Sequence, residues 1–121
     1  MVVIGAGIAG VSTAFWLTRL GVGRVVLCDP RPPLTLTSDK STECYRNWWP
    51  GPGDDMVRFM NRSIDILDDL AAESGNAFNL NRRGYLFVTA DPARLAAMAE
   101  TGREISGLGA GELRTHTVGG D

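Results

Sequence analysis

The sequence predicts an α/β fold that opens as a strand–helix–strand unit. Three observations carry this. Met1 to Ile4 are apolar and run into Gly5-Ala6-Gly7-Ile8-Ala9-Gly10. An apolar stretch then continues to Leu20 and stops at Gly21. Arg24-Val25-Val26-Leu27-Cys28-Asp29 follows, β-branched and ending in an acid. Strand, glycine turn, helix and second strand thus occur in order within a short span.

Each glycine in the turn has its own task. Gly5 permits the tight exit from the first strand, Gly7 allows close approach of a pyrophosphate, and Gly10 lets the helix pack close. The helix N-terminus, with Ile8 and Ala9 in its first turn, directs N–H groups and partial positive charge at the phosphates. Asp29, about 20 residues beyond the glycines, is placed to accept hydrogen bonds from a ribose diol. These features form the Rossmann-type fingerprint for the ADP half of a dinucleotide. The apolar start does not read as a signal peptide, since it lacks a basic n-region and carries three glycines. No apolar stretch is long enough for a membrane span.

The chain has 121 residues and a formal net charge of -2. That is one ordinary domain without a basic footprint for nucleic acid. Cys28 and Cys44 form no disulfide framework, and Cys28 is expected as a small apolar filler in a buried strand. The cytoplasm is the expected compartment. A dinucleotide domain needs a third parallel strand, yet only one βαβ unit can be read. The expectation is therefore an N-terminal portion of a longer protein, inactive by itself. Its parts divide as 1–33 (βαβ), 34–53 (a loop) and 54–121 (helix–strand–helix).

Pro30 to Pro33 break the second strand, and a Ser/Thr-rich loop leads through Arg46 to Asn47-Trp48-Trp49-Pro50-Gly51. A helix is predicted over 55–74, with Val57, Met60, Ile64, Leu67 and Ala71 as its apolar stripe, Asp54 as N-cap and Gly75 as C′ residue. Short strands are predicted at 78–80 and 85–89, around Gly84. Asp91-Pro92 starts a further helix carrying Leu95, Met98, Gly102 and Ile105. The glycine-rich stretch 107–121 reads as loose, with His116 as a solvated side chain.

Arg46 is the first candidate for chemistry outside the turn. A guanidinium there can give bidentate hydrogen bonds to a carboxylate or sit beside a flavin; the alternative is a surface ion pair with Asp54 or Asp55. Ser38, Ser41 and Thr42 are either ligands of phosphate and ribitol oxygens or turn formers. No metal-ligand spacing, Ser-His-acid set or G-x-S-x-G elbow is present.

With VVIGAGIAGVSTAFWL, VVLCDP, LTSDKSTECYR and GYLFVT in that order along the sequence, the chain resembles the N-terminal part of the FAD-dependent amino-acid oxidoreductase superfamily. That group holds D-amino acid, sarcosine and glycine oxidases and dimethylglycine dehydrogenase-like enzymes. The resemblance covers most of residues 1–106. It implies a Rossmann-like FAD-binding domain with part of an inserted α+β substrate-domain segment. It assigns the FAD pyrophosphate to Gly5, Ala6, Gly7, Ile8, Ala9 and Gly10, and the adenosine ribose to Asp29 with Pro30 beside it. The pyrophosphate–flavin loop falls on Ser38, Ser41, Thr42 and Arg46. Many relatives carry glycines just before that arginine, where this chain has Glu43 and Cys44. The implied reaction is hydride removal from the carbon beside an amine nitrogen of a small amine or amino acid, with no general base assignable in this chain. The competing readings are an NAD-dependent dehydrogenase and a non-catalytic chain or subunit that needs a partner.

Overall fold

The computed structural model describes residues 1–116. It contains β1 (Val2–Ile4), α1 (Ile8–Arg19), β2 (Val26–Cys28), α2 (Asp55–Glu73) and α3 (Pro92–Ile105), with a 3-10 turn at Thr37–Lys40 and a π-type turn at Ser106–Ala110. Two compact units form, residues 1–44 and residues 45–121. The division falls inside the 34–53 loop. No helix among the described residues is long and apolar enough to cross a membrane.

In the first unit β1 and β2 pair in parallel, with Val2, Val3 and Ile4 opposite Val26, Leu27 and Cys28. Helix α1 connects them, as parallel strands require a crossover. The pairing extends at both ends, through Val26 N–H to the Met1 carbonyl (2.9 Å) and Gly5 N–H to the Cys28 carbonyl (2.8 Å). Side chains alternate along each strand. Val3 and Leu27 are half-buried, while Val2, Ile4, Val26 and Cys28 lie on the exposed face. Cys28 is thus not the buried filler expected from the sequence: the period-2 alternation places it opposite Ile4, away from α1. The second strand is also shorter than predicted, with Arg24 and Asp29 outside it. No third strand joins these two among the described residues.

Helix α1 ends as the sequence indicates. Gly21 takes φ +82°, and the bonds Gly21 N–H to Thr18 O and Val22 N–H to Leu17 O (both 3.1 Å) close a Schellman motif. The same motif closes α2. Gly75 sits at φ +62°, Asn76 N–H reaches Ala71 O at 2.6 Å, and Gly75 N–H reaches Ala72 O at 3.4 Å.

The second unit is organised on α2. Val57, Ile64 and Ala71 are its buried residues, two turns apart from one another. Complete burial of Val57 contributes roughly 1.5–3 kcal/mol. Asp54 stands at the N-cap but its side chain caps nothing; it meets Arg58 at 3.8 Å, one turn along. Asp91 does cap α3, accepting the Ala93 N–H at 2.9 Å, with Pro92 in the first turn. Gly102 and Ile105 are buried on α3. A Cβ at Gly102 would lie 3.1 Å from Leu113 Cγ, so residue 113 packs against the helix and the stretch through 116 is not all loose. Residues 117–121 of that predicted loose stretch lie outside the described residues.

The two strands predicted at 78–80 and 85–89 are absent. Asn76 and Asn79 take φ of +57° and +56°, which breaks the first. The Asn76 side chain instead takes both backbone groups of Leu80, accepting its N–H at 2.7 Å and donating to its carbonyl at 3.1 Å. Residues 85–89 carry strand-like side chains but have no partner strand among the described residues. The second unit is therefore built from helices and irregular segments rather than as the α+β segment expected. Replacing Gly75 with alanine forces a side chain into the left-handed region and should cost about 1–2 kcal/mol in urea denaturation, with α2 itself retained by circular dichroism.

Candidate cofactor site

The glycine turn between β1 and α1 is held by the chain that follows β2. Both backbone polar groups of Ala6, a buried residue, are taken. Its N–H donates to Asp29 Oδ2 at 2.9 Å, and its carbonyl accepts the Leu34 N–H at 2.8 Å. One residue pair on, Ile8 N–H donates to Ser38 Oγ at 3.2 Å, which places the 3-10 turn over the start of α1. Segment 29–38 is thereby stitched to residues 6–8 by three hydrogen bonds.

Gly5 and Gly10 are required by geometry. Gly5 has φ +99°. A Cβ on Gly10 would run into the Gly5 carbonyl oxygen, lie 2.9 Å from the Gly5 carbonyl carbon, and touch Leu27 Cδ1 at 3.6 Å. The helix approaches the turn so closely that only a hydrogen fits there. Gly7 is different, because nothing lies within 4 Å of a Cβ built on it. It is the N-cap of α1, with φ -74° and ψ -178°, and provides no side-chain cap. No acid occupies the first turn. The first N–H groups of a helix have no intrahelical acceptor, so this end presents donors and positive potential beside open space.

Asp29 is exposed, yet its carboxylate is fixed. Oδ1 accepts the Arg31 N–H at 2.9 Å while Oδ2 holds Ala6. These two backbone bonds, with a smaller contribution from the Arg31 charge, hold its pKa below the usual carboxylate value. An ionised carboxylate has about four acceptor positions, so two remain for another donor.

The other residues singled out from the sequence are placed as follows. Pro30 directly follows Asp29 and is exposed. Ser41 Oγ accepts the Glu43 N–H at 3.2 Å, and the Thr42 carbonyl accepts the Cys44 thiol at 3.4 Å. Both are engaged in local turns. Arg46 belongs to the second unit. It pairs with neither Asp54 nor Asp55: its guanidinium lies over the Trp49 ring at 5.1 Å and the Tyr85 ring at 5.9 Å. Among the described residues no carboxylate pairs with it. A hollow of about 370 Å³ lies elsewhere on that unit, lined by Asp68, Gly75, Leu80 and Arg82 among others, and its arginine is engaged by Asp68.

A turn of this construction, with a forced glycine, a helix start without an N-cap side chain and a carboxylate at the end of β2, defines a dinucleotide-binding class. The family described as FAD dependent oxidoreductase matches residues 1–118, and the chain belongs to that family. Its cofactor is FAD. No curated protein and no solved structure matches the chain. The residues present fit the anionic part of that cofactor: Gly7 leaves room where a side chain would obstruct, and α1 begins without an acid to repel phosphate.

Two outcomes follow. Gly10→Ala should destabilise the fold by about 1–3 kcal/mol in chemical denaturation, while Gly7→Ala should leave stability nearly unchanged and weaken FAD retention. Asp29→Asn should lower stability at neutral pH. A carboxyl whose pKa is depressed by folding stabilises the fold above its unfolded value, and that contribution is lost as pH falls through the folded value. The gap between wild type and variant should accordingly close below the usual carboxylate range, as read by urea denaturation at several pH values.

Proposed function

We propose that the chain takes part in FAD-dependent oxidation of a carbon–nitrogen bond in a small amine or amino acid. The single observation that carries this reading is the glycine turn at a helix start whose N-cap is glycine, in a chain of the FAD-dependent oxidoreductase family. The choice of an amine substrate rests on the order of motifs along the sequence: glycine turn, acid, Ser/Thr loop ending in Arg46, and GYLFVT.

FAD, when bound, supplies the acceptor for the hydride equivalent. The chain's own residues bind and orient. The backbone of residues 5–10 and the start of α1 receive the pyrophosphate. Asp29 accepts from the adenosine ribose with the lone pairs that Ala6 and Arg31 leave. Ser38, already fixed on Ile8, lies beside the same helix end and supplies a hydroxyl to phosphate oxygens. Arg46 offers a guanidinium that lies over the Trp49 and Tyr85 rings, a charge suited to a carboxylate or to the flavin.

The test is the visible spectrum of the purified chain after incubation with FAD and gel filtration, followed by anaerobic addition of small amines and amino acids. A retained flavin band that bleaches with an amine, and not with a 2-hydroxy acid of similar size, supports the reading and overturns the expectation that the chain is inactive by itself. A retained band that bleaches only with the hydroxy acid keeps the FAD assignment and overturns the amine substrate.

A further inference from the structure

Helix α2 buries Val57, Ile64 and Ala71 along one line. Asn61 and Asp68 occupy the intermediate positions of that same line, at spacings of four and three. Both are half-buried. An amphipathic helix needs no polar residue there, and each one is engaged. Asp68 holds Arg82, and Asn61 holds two separate segments. Asn61 Oδ1 accepts from Asn47 Nδ2 at 2.8 Å, and Asn61 Nδ2 donates to the Gly109 carbonyl at 2.8 Å. Asn47 Nδ2 also donates to the Ala110 carbonyl at 2.9 Å, which closes a small network.

Asn47 is the neighbour of Arg46 in an irregular segment with no ladder to set its register. Arg46 lies over Tyr85 and Trp48 meets Phe87 with ring centroids 4.6 Å apart, whereas Tyr45 reaches the Asn81 carbonyl at 2.8 Å and Asn47 reaches α2. A shift of this segment along the chain withdraws Asn47 from Asn61. Buried polar pairs are suited to fixing register, because a slip leaves them unpaired.

We propose that Asn61 is a positioning residue for Arg46. Acting through Asn47, it fixes the placement of residues 45–49 so that the guanidinium stays over Trp49 and Tyr85. The functional importance of that placement rests on the reading of Arg46 as a binding residue; the placement itself does not.

The experiment follows the Arg46 Nε–H resonance in the full chain, identified by its loss in Arg46→Lys. In wild type the rings shift it upfield. Asn61→Leu and Asn47→Ala should each abolish the shift while far-UV circular dichroism remains helical, and the double variant should match Asn47→Ala alone. Persistence of the shift in either single variant overturns the proposal. Asn47→Ala leaves α2 unaltered, so the test stands if Asn61→Leu fails to fold. FAD retention is measured on the same samples. Loss of the shift with unchanged retention upholds the positioning role and removes Arg46 from flavin binding.

Discussion

The first unit depends on the close approach of α1 to the turn that precedes it. Gly10 packs against the Gly5 carbonyl with no room for a side chain. This contact sets where the helix N-terminus lies, and every donor offered to an anion follows from it. The bond between Ala6 N–H and Asp29 then ties the turn to the end of β2. One carboxylate serves two ends: it satisfies backbone donors that would otherwise lack partners, and it retains acceptor positions beside the same turn.

That economy of contacts matters because little else holds this unit. Ala6 is its buried apolar residue, while Ile4 and Ile8 are strongly exposed. Two paired strands are marginal in water unless a helix packs on them, and here α1 is that helix. Hydrogen bonds from residues 29, 34 and 38 onto residues 6–8 therefore have a large share in the local structure. They also bring the segment beyond β2 to the anion-facing end of α1 without any regular element in it.

The second unit solves a different problem. Its segments 45–49 and 85–89 carry a concentration of aromatic side chains but no ladder to register them. Polar residues set into the apolar line of α2 do this instead. Asn61 holds one segment through Asn47, and Asp68 holds the approach to the other through Arg82. The rings of Trp49 and Tyr85 then lie by the Arg46 guanidinium, with which no carboxylate pairs among the described residues, and Trp48 and Tyr85 each meet Phe87.

Sequence alone determined what depends on neighbours along the chain. The βαβ unit was legible because its period changes are abrupt and its glycines fall at the turn. The ends of α1 and α2 were legible because Gly21 and Gly75 supply φ values that other residues resist. The Asp91-Pro92 start was legible for the same local reason. Tertiary structure decided the rest. Cys28 faces outward because strand alternation is counted from the pairing partner, not from hydropathy. Residues 78–80 and 85–89 look like strands, but a strand exists only with a neighbour, and Asn76 and Asn79 turn the chain before one forms. The bond from Ala6 to Asp29 and the seat of Ser38 on Ile8 could not be read, since both bonds span more than 20 positions. Asn61 gave no signal at all: in the sequence it is one polar residue on a helix, and only the fold brings Asn47 and Gly109 to it.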